Sequence, residues 1–266
     1  MSADRMGQLI SIHSYRGGTG KSNLTANLAY LAAKRGRRVA VLDTDVQSPG
    51  VHMVLGMDPS RMVHSLSDYL FGKCELEDAA YDMTTDLGLQ DSGGALFLLP
   101  SSMKVEAIVR VVSEGYDAGR LNEHLQRLMQ DLSIDLLWLD THPGLNRETM
   151  LTTAVSQALV VVVRPDTQDF HGTAVLMELA GRLGVPHVSV LINKVVARLD
   201  AADVRKKVEQ AFKQDVIGLL PLSDDLLVLG SRGLIASQEP DHPVSLELDQ
   251  ALSRLLDSLQ GAPPAS

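Results

Sequence analysis

The sequence has little of several features that would each have indicated a particular class of protein. Its single cysteine, Cys74, cannot form an internal disulfide, and without a C-x-x-C pair no metal or iron–sulfur site is indicated. We expect Cys74 to be a small, partly buried residue. No apolar run reaches the roughly 20 residues of a membrane-spanning helix. The first residues, MSADRMGQ, lack the hydrophobic stretch of a secretory signal, so a cytoplasmic protein is expected.

Positive charge is also scarce. With 24 Lys and Arg against 33 Asp and Glu, the formal net charge is -9. Binding to phosphate backbones is driven by an excess of basic residues, so this charge argues against a surface that binds nucleic acid all over. One local basic patch is present, formed by VRKKVEQAFK (204–213) and Arg198. Interleaved acidic residues favour a solvated helix face, and binding to nonspecific DNA stays open.

Apolar segments alternate along the chain with segments whose apolar residues have helical spacing. The apolar segments are LISIHS (9–14), VAVLD (39–43), ALFLLP (95–100), IDLLWLD (134–140), ALVVVVRP (158–165), VSVLIN (188–193) and DVIGLLP (215–221). Continuous apolar strands separated by helices predict a mostly parallel sheet covered on both faces. The predicted fold is therefore a doubly wound α/β fold, which binds ligands at the carboxyl ends of its strands.

The stretch HSYRGGTGKSN (13–23) joins the first predicted strand to a helix that begins near Lys21. A glycine-rich turn in this position gathers backbone N–H groups at the positive end of the helix dipole, where a polyphosphate binds. We expect Lys21 to contact the β- and γ-phosphates and Ser22 to ligate Mg²⁺. The strand–turn–helix context disfavours the alternative, a turn without ligand. The predicted loop residues are Gly17, Gly18, Thr19, Gly20, Lys21, Ser22 and Asn23.

This loop differs from the usual phosphate-binding pattern G-x-x-x-x-G-K-[ST], which requires glycine where Tyr15 stands. Arg16 stands just before the glycine pair, and YRGGTGKSN resembles the deviant Walker A motif, K-G-G-x-G-K-[ST], of the MinD/ParA family of P-loop ATPases. The resemblance covers nearly the whole chain, and ordered motifs are more specific than one glycine-rich loop. Beyond the loop, the resemblance continues through VLDTDVQSPG (41–50), LLWLDTHPG (136–144), VVVRPDTQDFHGT (161–173), LINK (191–194) and VIGLLPLSDD (216–225).

The resemblance implies an ATPase that uses ATP and Mg²⁺ and forms a homodimer when ATP is bound. Family members usually carry a lysine where Arg16 stands, and this lysine reaches the partner's nucleotide across the dimer interface. Arginine keeps the positive charge and adds a planar donor fork, so Arg16 is expected to act in the same way. The alternative is that Arg16 makes a local salt bridge. Asp45 is implied to position or activate the attacking water.

Further residues are expected near the metal and the base. Asp43 is expected to stabilise the Mg²⁺ shell and its loop, and Asp140 to hold Mg²⁺ through water. Asn193 is implied to contact the adenine ring, with Lys194 beside it and the backbone near Pro221 across the base pocket.

His142 stands where the family pattern D-T-P-P-G has its first proline. We expect it to be a solvent-facing loop residue, although it could instead make this segment sensitive to pH. Trp138 lies within a predicted strand, and we expect it to belong to the core.

We expect one domain over residues 1–260, with a family-specific insertion at about 57–94 that lies over the nucleotide side. This stretch carries short helix patterns and ends in QDSGG, which is typical of a loop. The tail GAPPAS (261–266) is expected to be disordered. The last helix pattern (244–260) is amphipathic but has an acidic polar face, so we expect it to pack on the domain and not to anchor in a membrane.

Members of the family differ in what the ATP-bound dimer binds. We expect a slow, partner-stimulated switch that positions or partitions a DNA, protein or organelle cargo with the help of a protein activator or cargo adaptor. Metal-delivery relatives use cysteine pairs and tyrosine-kinase relatives a C-terminal tyrosine cluster, and the sequence has neither. The alternative function is a nucleotide-dependent scaffold that binds a protein partner and hydrolyses little ATP.

Overall fold

The computed structural model describes residues 7–260, in which strands and helices alternate. The strands are Gln8–His13 (β1), Arg38–Asp43 (β2), Tyr81–Asp82 (β3), Ala95–Leu99 (β4), Leu136–Asp140 (β5), Ala158–Val163 (β6), His187–Val195 (β7) and Asp215–Pro221 (β8). The helices are Lys21–Lys34 (α1), Val51–Val54 (α2), Leu66–Leu70 (α3), Val105–Glu114 (α4), Ala118–Asp131 (α5), Arg147–Ala154 (α6), Thr167–Leu183 (α7), Ala201–Phe212 (α8), Asp224–Leu229 (α9), Ile235–Gln238 (α10) and Pro243–Gln260 (α11). Pro59–Arg61 and Glu77–Ala79 form 3₁₀ turns.

The described strands form one eight-stranded sheet in the order β3-β4-β2-β5-β1-β6-β7-β8. Neighbouring strands are parallel except for the short β3, which runs antiparallel to β4. All the apolar segments noted in the sequence form strands, so the predicted doubly wound parallel sheet is confirmed. The direction of winding changes at β1, which places the end of β1 at the switch point where such sheets bind ligands.

Both faces of the sheet are covered, and β5 shows how. Its side chains alternate, with Trp138 in a buried core that includes Leu28 of α1 and Leu252 of α11. Leu137 points to the opposite face, in a core shared with Leu125 of α5. Because successive residues of a strand face opposite sides, a strand buried on both sides has a continuous apolar sequence. The expectation that Trp138 belongs to the core is confirmed.

Helix α11 packs on the sheet through its apolar face, as we expected. Its buried residues include Leu248, Leu252 and Leu255. The polar side of α11 also contacts the sheet, since Arg254 donates a hydrogen bond of 2.6 Å to the carbonyl oxygen of Ile217 in β8. Within residues 7–260, no helix combines the length and apolar character needed to cross a membrane.

The segment 57–94 lies along the edge of the sheet beside β4. Met83 N donates to Leu96 O at 2.8 Å, and Leu66 N donates to Pro100 O at 2.8 Å. Strands β4, β2 and β5 separate β3 from β1 in the sheet. That the segment lies over the nucleotide side stays a prediction. That the segment is a family-specific insertion stays a prediction. Cys74 is partly buried, as expected, and the tail 261–266 lies outside the described residues.

Candidate functional site

The phosphate loop connects β1 to α1 and depends on glycine at two positions. Gly18 and Gly20 have φ angles of 73° and 96°, in the left-handed region that side chains disfavour. A Cβ atom at Gly20 would also lie 2.7 Å from Nδ2 of Asn193. Gly20 caps α1 without a side-chain hydrogen bond. The loop therefore presents helix N-terminal N–H groups, which are donors for an anion.

Lys21 is the buried cation of this loop, with only 6 % of its surface exposed. Beneath it, Nδ1 of His13 lies 2.6 Å from Oγ1 of Thr141, whose own proton is donated to Ile12 O. His13 is therefore the donor to Thr141. Burial, together with the charge of Lys21, lowers the pKa of His13 to about 3. His13 is thus neutral, so it does not compete with Lys21 for a phosphate. We had not singled out His13, although it ends an apolar strand directly before the loop.

Two carboxylates face the loop from the ends of adjacent strands. Asp43 and Asp140 are paired in the register of β2 and β5, and both are fully buried. Ser22 Oγ donates to Asp140 Oδ2 at 2.6 Å. Burial raises the pKa of Asp140 to about 6, while Lys21 and Ser22 oppose the rise. Burial also raises the pKa of Asp43, and the charge of Asp140 adds to this. The site therefore concentrates negative charge that a divalent cation would offset.

The donor set suits Mg²⁺. Ser22 and Asp140 supply hard oxygen atoms, and Mg²⁺ typically takes one or two protein ligands together with phosphate oxygens and water. In residues 7–260, no group of three or more His, Cys, Asp or Glu side chains could hold a metal. Asp43 Oδ2 accepts hydrogen bonds from Gly50 N and Val51 N, so Asp43 holds its loop. The contribution of Asp43 to the Mg²⁺ shell stays a prediction.

Asp45 is held by a histidine that we had expected to face solvent. Nδ1 of His142 lies 2.7 Å from Oδ1 of Asp45, and the side chain of His142 is only 25 % exposed. The solvent-facing interpretation of His142 is therefore wrong. The two residues are 97 positions apart in the sequence, and only the pairing of β2 with β5 brings their loops together. Local sequence patterns could not show this contact.

Arg16 makes the local salt bridges that we had weighed as the alternative to a role across the dimer interface. Its guanidinium lies 3.7 Å from a carboxylate oxygen of Asp166 and 3.7 Å from one of Asp169. Asp169 is buried and already accepts a 2.8 Å hydrogen bond from Arg164. The side chains of Arg16 and Asp166 are 40 % and 42 % exposed, and a long, exposed ion pair of this kind contributes at most about 1 kcal/mol. Arg16 is therefore weakly held, and Asp166 and Asp169 are partners that we had not identified.

A cavity of about 220 Å³ adjoins the loop where the base of a nucleotide was expected. It is lined by Gly20 and Asn23 of the loop region, by Asn193 and Lys194 of β7, and by the segment that begins at Pro221. The structure thus brings together the residues predicted for the base pocket.

The two β7 residues of this pocket are both bonded to the phosphate loop. Asn193 Nδ2 donates to Thr19 O at 2.8 Å, and Lys194 Nζ donates to Gly18 O at 2.8 Å. Asn193 Oδ1 accepts from Lys194 N at 2.8 Å. In this structure both residues therefore fix the loop, and the contact of Asn193 with adenine stays a prediction.

Tyr15, which replaces the first glycine of the usual pattern, packs against Gly172 of α7. A Cβ atom at Gly172 would lie 1.9 Å from Cδ1 of the Tyr15 ring. Gly172→Ala is therefore expected to displace Tyr15 and to destabilise the protein by about 1–3 kcal/mol, the usual cost of overpacking. Gly181→Ala, in the same helix and with open space around the added methyl group, is the control and should stabilise by about 0.5–1 kcal/mol.

Urea denaturation of both variants measures these two changes. Equal unfolding free energies for Gly172→Ala and Gly181→Ala would show that the packing of Tyr15 on Gly172 is unimportant.

A glycine-rich loop between β1 and α1 at the switch point of a parallel sheet, with Lys21, Ser22 and Asp140 around it, defines a P-loop nucleotide-binding protein. Residues 10–235 match the model of the CobQ/CobB/MinD/ParA nucleotide binding domain. The chain belongs to this family, and the resemblance to MinD/ParA ATPases seen in the sequence is confirmed.

Known proteins agree with this assignment along nearly the whole chain. The sequence is 27% identical over 248 residues to an uncharacterised ATP-binding protein of Methanocaldococcus jannaschii, which covers 93% of this chain and 87% of the relative. The septum site-determining protein MinD of Pyrococcus horikoshii, solved with Mg-ADP, matches with a TM-score of 0.80 and 22% identity, covering 96% of this chain and 98% of that one. The MinC:MinD cell division complex of Aquifex aeolicus gives a TM-score of 0.79 and 20% identity, covering 98% of each chain. The two structures show the P-loop NTPase fold.

Proposed function

We propose that this protein hydrolyses ATP slowly and uses the nucleotide as a dimerisation switch that positions or partitions a cargo. The observation that carries the proposal is the state of Arg16. Arg16 lies in the phosphate loop just before the glycine pair, and its side chain is 40 % exposed. Among residues 7–260, the side chain is held only by ion pairs of 3.7 Å. The triphosphate bound to a second copy of the chain can therefore compete with Asp166 and Asp169 for the Arg16 side chain.

The energy needed for such a switch is modest. Moving a two-state balance from 1:99 to 99:1 takes about 5.5 kcal/mol of differential binding. Hydrogen bonds to charged groups contribute roughly 1.5–3 kcal/mol each, so two to four bonds that depend on the γ-phosphate are sufficient. Because hydrolysis removes those bonds, the nucleotide state selects monomer or dimer.

The matched proteins support the nucleotide and the kind of task. MinD of P. horikoshii was solved with Mg-ADP, and its name describes the placement of a division septum. MinD of A. aeolicus forms a complex with MinC, which supports a protein activator or cargo adaptor as a partner here. Under the proposal, ATP occupies the loop with its base in the cavity of about 220 Å³, and Ser22 and Asp140 hold Mg²⁺.

The surface for DNA under this proposal is the basic patch of α8. Arg205 of the basic patch donates to Val216 O and forms an ion pair with Glu209, so its charge is partly neutralised. Lys206 and Lys207 lie on the same helix, and both are exposed. A few lysines of this kind give weak, salt-dependent affinity for DNA at most.

Steady-state turnover with and without duplex DNA tests the proposal. We expect slow hydrolysis that depends on Mg²⁺, and DNA should accelerate it only if the α8 patch contributes. ATP binding with no turnover, even after a cell extract is added, would instead favour the nucleotide-dependent scaffold.

Arg16→Ala is expected to weaken the ATP-dependent dimer at least tenfold and to slow turnover. A cation directed at the transferred phosphoryl group is worth about 10³–10⁵ in rate in related systems, which sets the upper limit of the loss. Arg16→Lys, the residue usual in the family, should restore most of the dimer. Arg182→Ala, which removes an exposed arginine of α7 paired with Glu178, is the control. Unchanged dimerisation and turnover in Arg16→Ala would restrict Arg16 to its local salt bridges.

A further inference from the structure

We propose that His142 is a positioning residue for hydrolysis, which fixes the carboxylate of Asp45 in the orientation that activates the attacking water. The inference rests on the proposed function, because it assigns His142 a part in the same ATPase site. The family pattern has proline at this position, and proline has no side-chain donor. The role is therefore particular to a chain that carries histidine here.

The geometry of the Asp45 carboxylate supports this role. Oδ1 accepts a hydrogen bond from Ser48 N at 3.2 Å and lies 2.7 Å from Nδ1 of His142. Among the residues that the structure describes, none forms a hydrogen bond with Oδ2. One oxygen is thus fixed while the other is left to accept a hydrogen bond from water. Asp45 lies in a stretch without regular structure between β2 and α2, so its side chain depends on these contacts for its orientation.

His142 is itself anchored well enough to orient Asp45. It follows β5 two residues after the buried Asp140, and its carbonyl oxygen accepts a hydrogen bond of 3.4 Å from Thr149 Oγ1 of α6. Asn146 caps that helix by accepting a 2.8 Å bond from Thr149 N. A neutral imidazole with its proton on Nδ1 is sufficient to donate to an ionised carboxylate. The pair therefore works without a positive charge on His142.

Asp45 assists the attack of water on the γ-phosphate. The oxygen of water forms a bond to the γ-phosphorus, and the bond from that phosphorus to the β–γ bridging oxygen breaks, leaving its electron pair on ADP. The proton of the water passes to Oδ2 of Asp45 and then to the released phosphate. Phosphoryl transfer depends on the placement of its groups, and a misplacement of 1 Å can cost about 10²-fold in rate.

The experiment compares variants that differ only in where a donor is placed. His142→Ala should lower kcat about 10–100-fold while the Kd for ATP stays within about twofold, because the imidazole of His142 bonds to Asp45 and His142 does not line the base cavity. In His142→Asn, the side-chain nitrogen lies as many bonds from Cα as Nδ1 does, so kcat should recover to within about threefold of wild type. In His142→Gln, the nitrogen lies one bond further out, and kcat should stay low. Loss of the same size in the Asn and Gln variants would contradict the proposal.

Two further measurements separate positioning from folding. In the Asp45→Asn background, His142→Ala should cause little additional loss of kcat, because both changes affect one unit. NMR of the imidazole nitrogens in the intact protein should show the Nδ1–H tautomer of His142 in wild type and its loss in Asp45→Ala. An unchanged tautomer in Asp45→Ala, or a kcat of His142→Ala at or above the wild-type value, would overturn the inference.

The outcomes also distinguish this inference from the proposed function. Wild-type protein without any ATP turnover contradicts the proposed function and the inference together. Wild-type turnover that is unaffected by His142→Ala, in a variant with the wild-type melting temperature, contradicts the inference alone.

Discussion

Replacing Lys21 with alanine is expected to reduce ATP affinity by about 10–100-fold and to bring turnover below detection. Lys21 is the buried cation at the start of α1, and hydrogen bonds from a charged donor are worth roughly 1.5–3 kcal/mol each. The effect on turnover is larger because the same ammonium group also faces the charge that develops on the transferred phosphoryl group. Calorimetric titration with Mg-ATP measures the affinity.

Lys34→Ala provides the matched control for this experiment, since Lys34 is an exposed lysine in the last turn of the same helix. Its ATP affinity should stay within about twofold of wild type. Circular dichroism establishes that both variants are folded, because removing Lys21 leaves the buried Asp140 without its nearby cation. A folded Lys21→Ala protein that binds Mg-ATP as tightly as Lys34→Ala does would contradict the assignment of the phosphate loop.

Asp45→Asn is expected to lower kcat by about 10²–10⁴-fold, the usual contribution of a positioned general base, while ATP still binds. The amide keeps the shape of the carboxylate but cannot accept the proton of the attacking water. Because the γ-phosphate is then retained, the ATP-bound dimer should accumulate. Single-turnover hydrolysis followed by size-exclusion chromatography in Mg-ATP measures both effects.

Asp91→Asn, which changes an exposed aspartate in the loop before β4, should leave turnover and dimerisation unchanged. If Asp45→Asn also hydrolyses ATP at the wild-type rate, Asp45 does not activate the water. The positioning role of His142 would fail with it.

Much of the fold could be predicted because its determinants are local. A strand buried on both faces must be apolar throughout, so each long strand is visible in the sequence as a continuous apolar run. The phosphate loop is equally local, since Gly18, Gly20, Lys21 and Ser22 lie within five positions of one another. The two-residue strand β3 could not be predicted, because Tyr81 and Asp82 have strand geometry only through their pairing with β4.

The side-chain contacts within the site could not be predicted either, because they also depend on residues that are distant in the sequence. Asp45 and His142 form their hydrogen bond although they are 97 positions apart in the sequence. Arg16 forms ion pairs with Asp166 and Asp169 only because β6 lies beside β1. A residue pattern shows which chemistry is present at each strand end. Which groups then form hydrogen bonds depends on loop conformations that follow from the packing of the whole sheet.

Sedimentation equilibrium with Mg²⁺ and either ADP or a nonhydrolysable ATP analogue tests the central claim most directly. With ADP we expect the mass of one chain, 28.7 kDa, and with the analogue twice that mass. In Arg16→Ala the doubled mass should appear only at a protein concentration about tenfold or more higher, the loss expected when one charge-assisted hydrogen bond is removed. The same mass with ADP and with the analogue would contradict a switch that depends on the γ-phosphate.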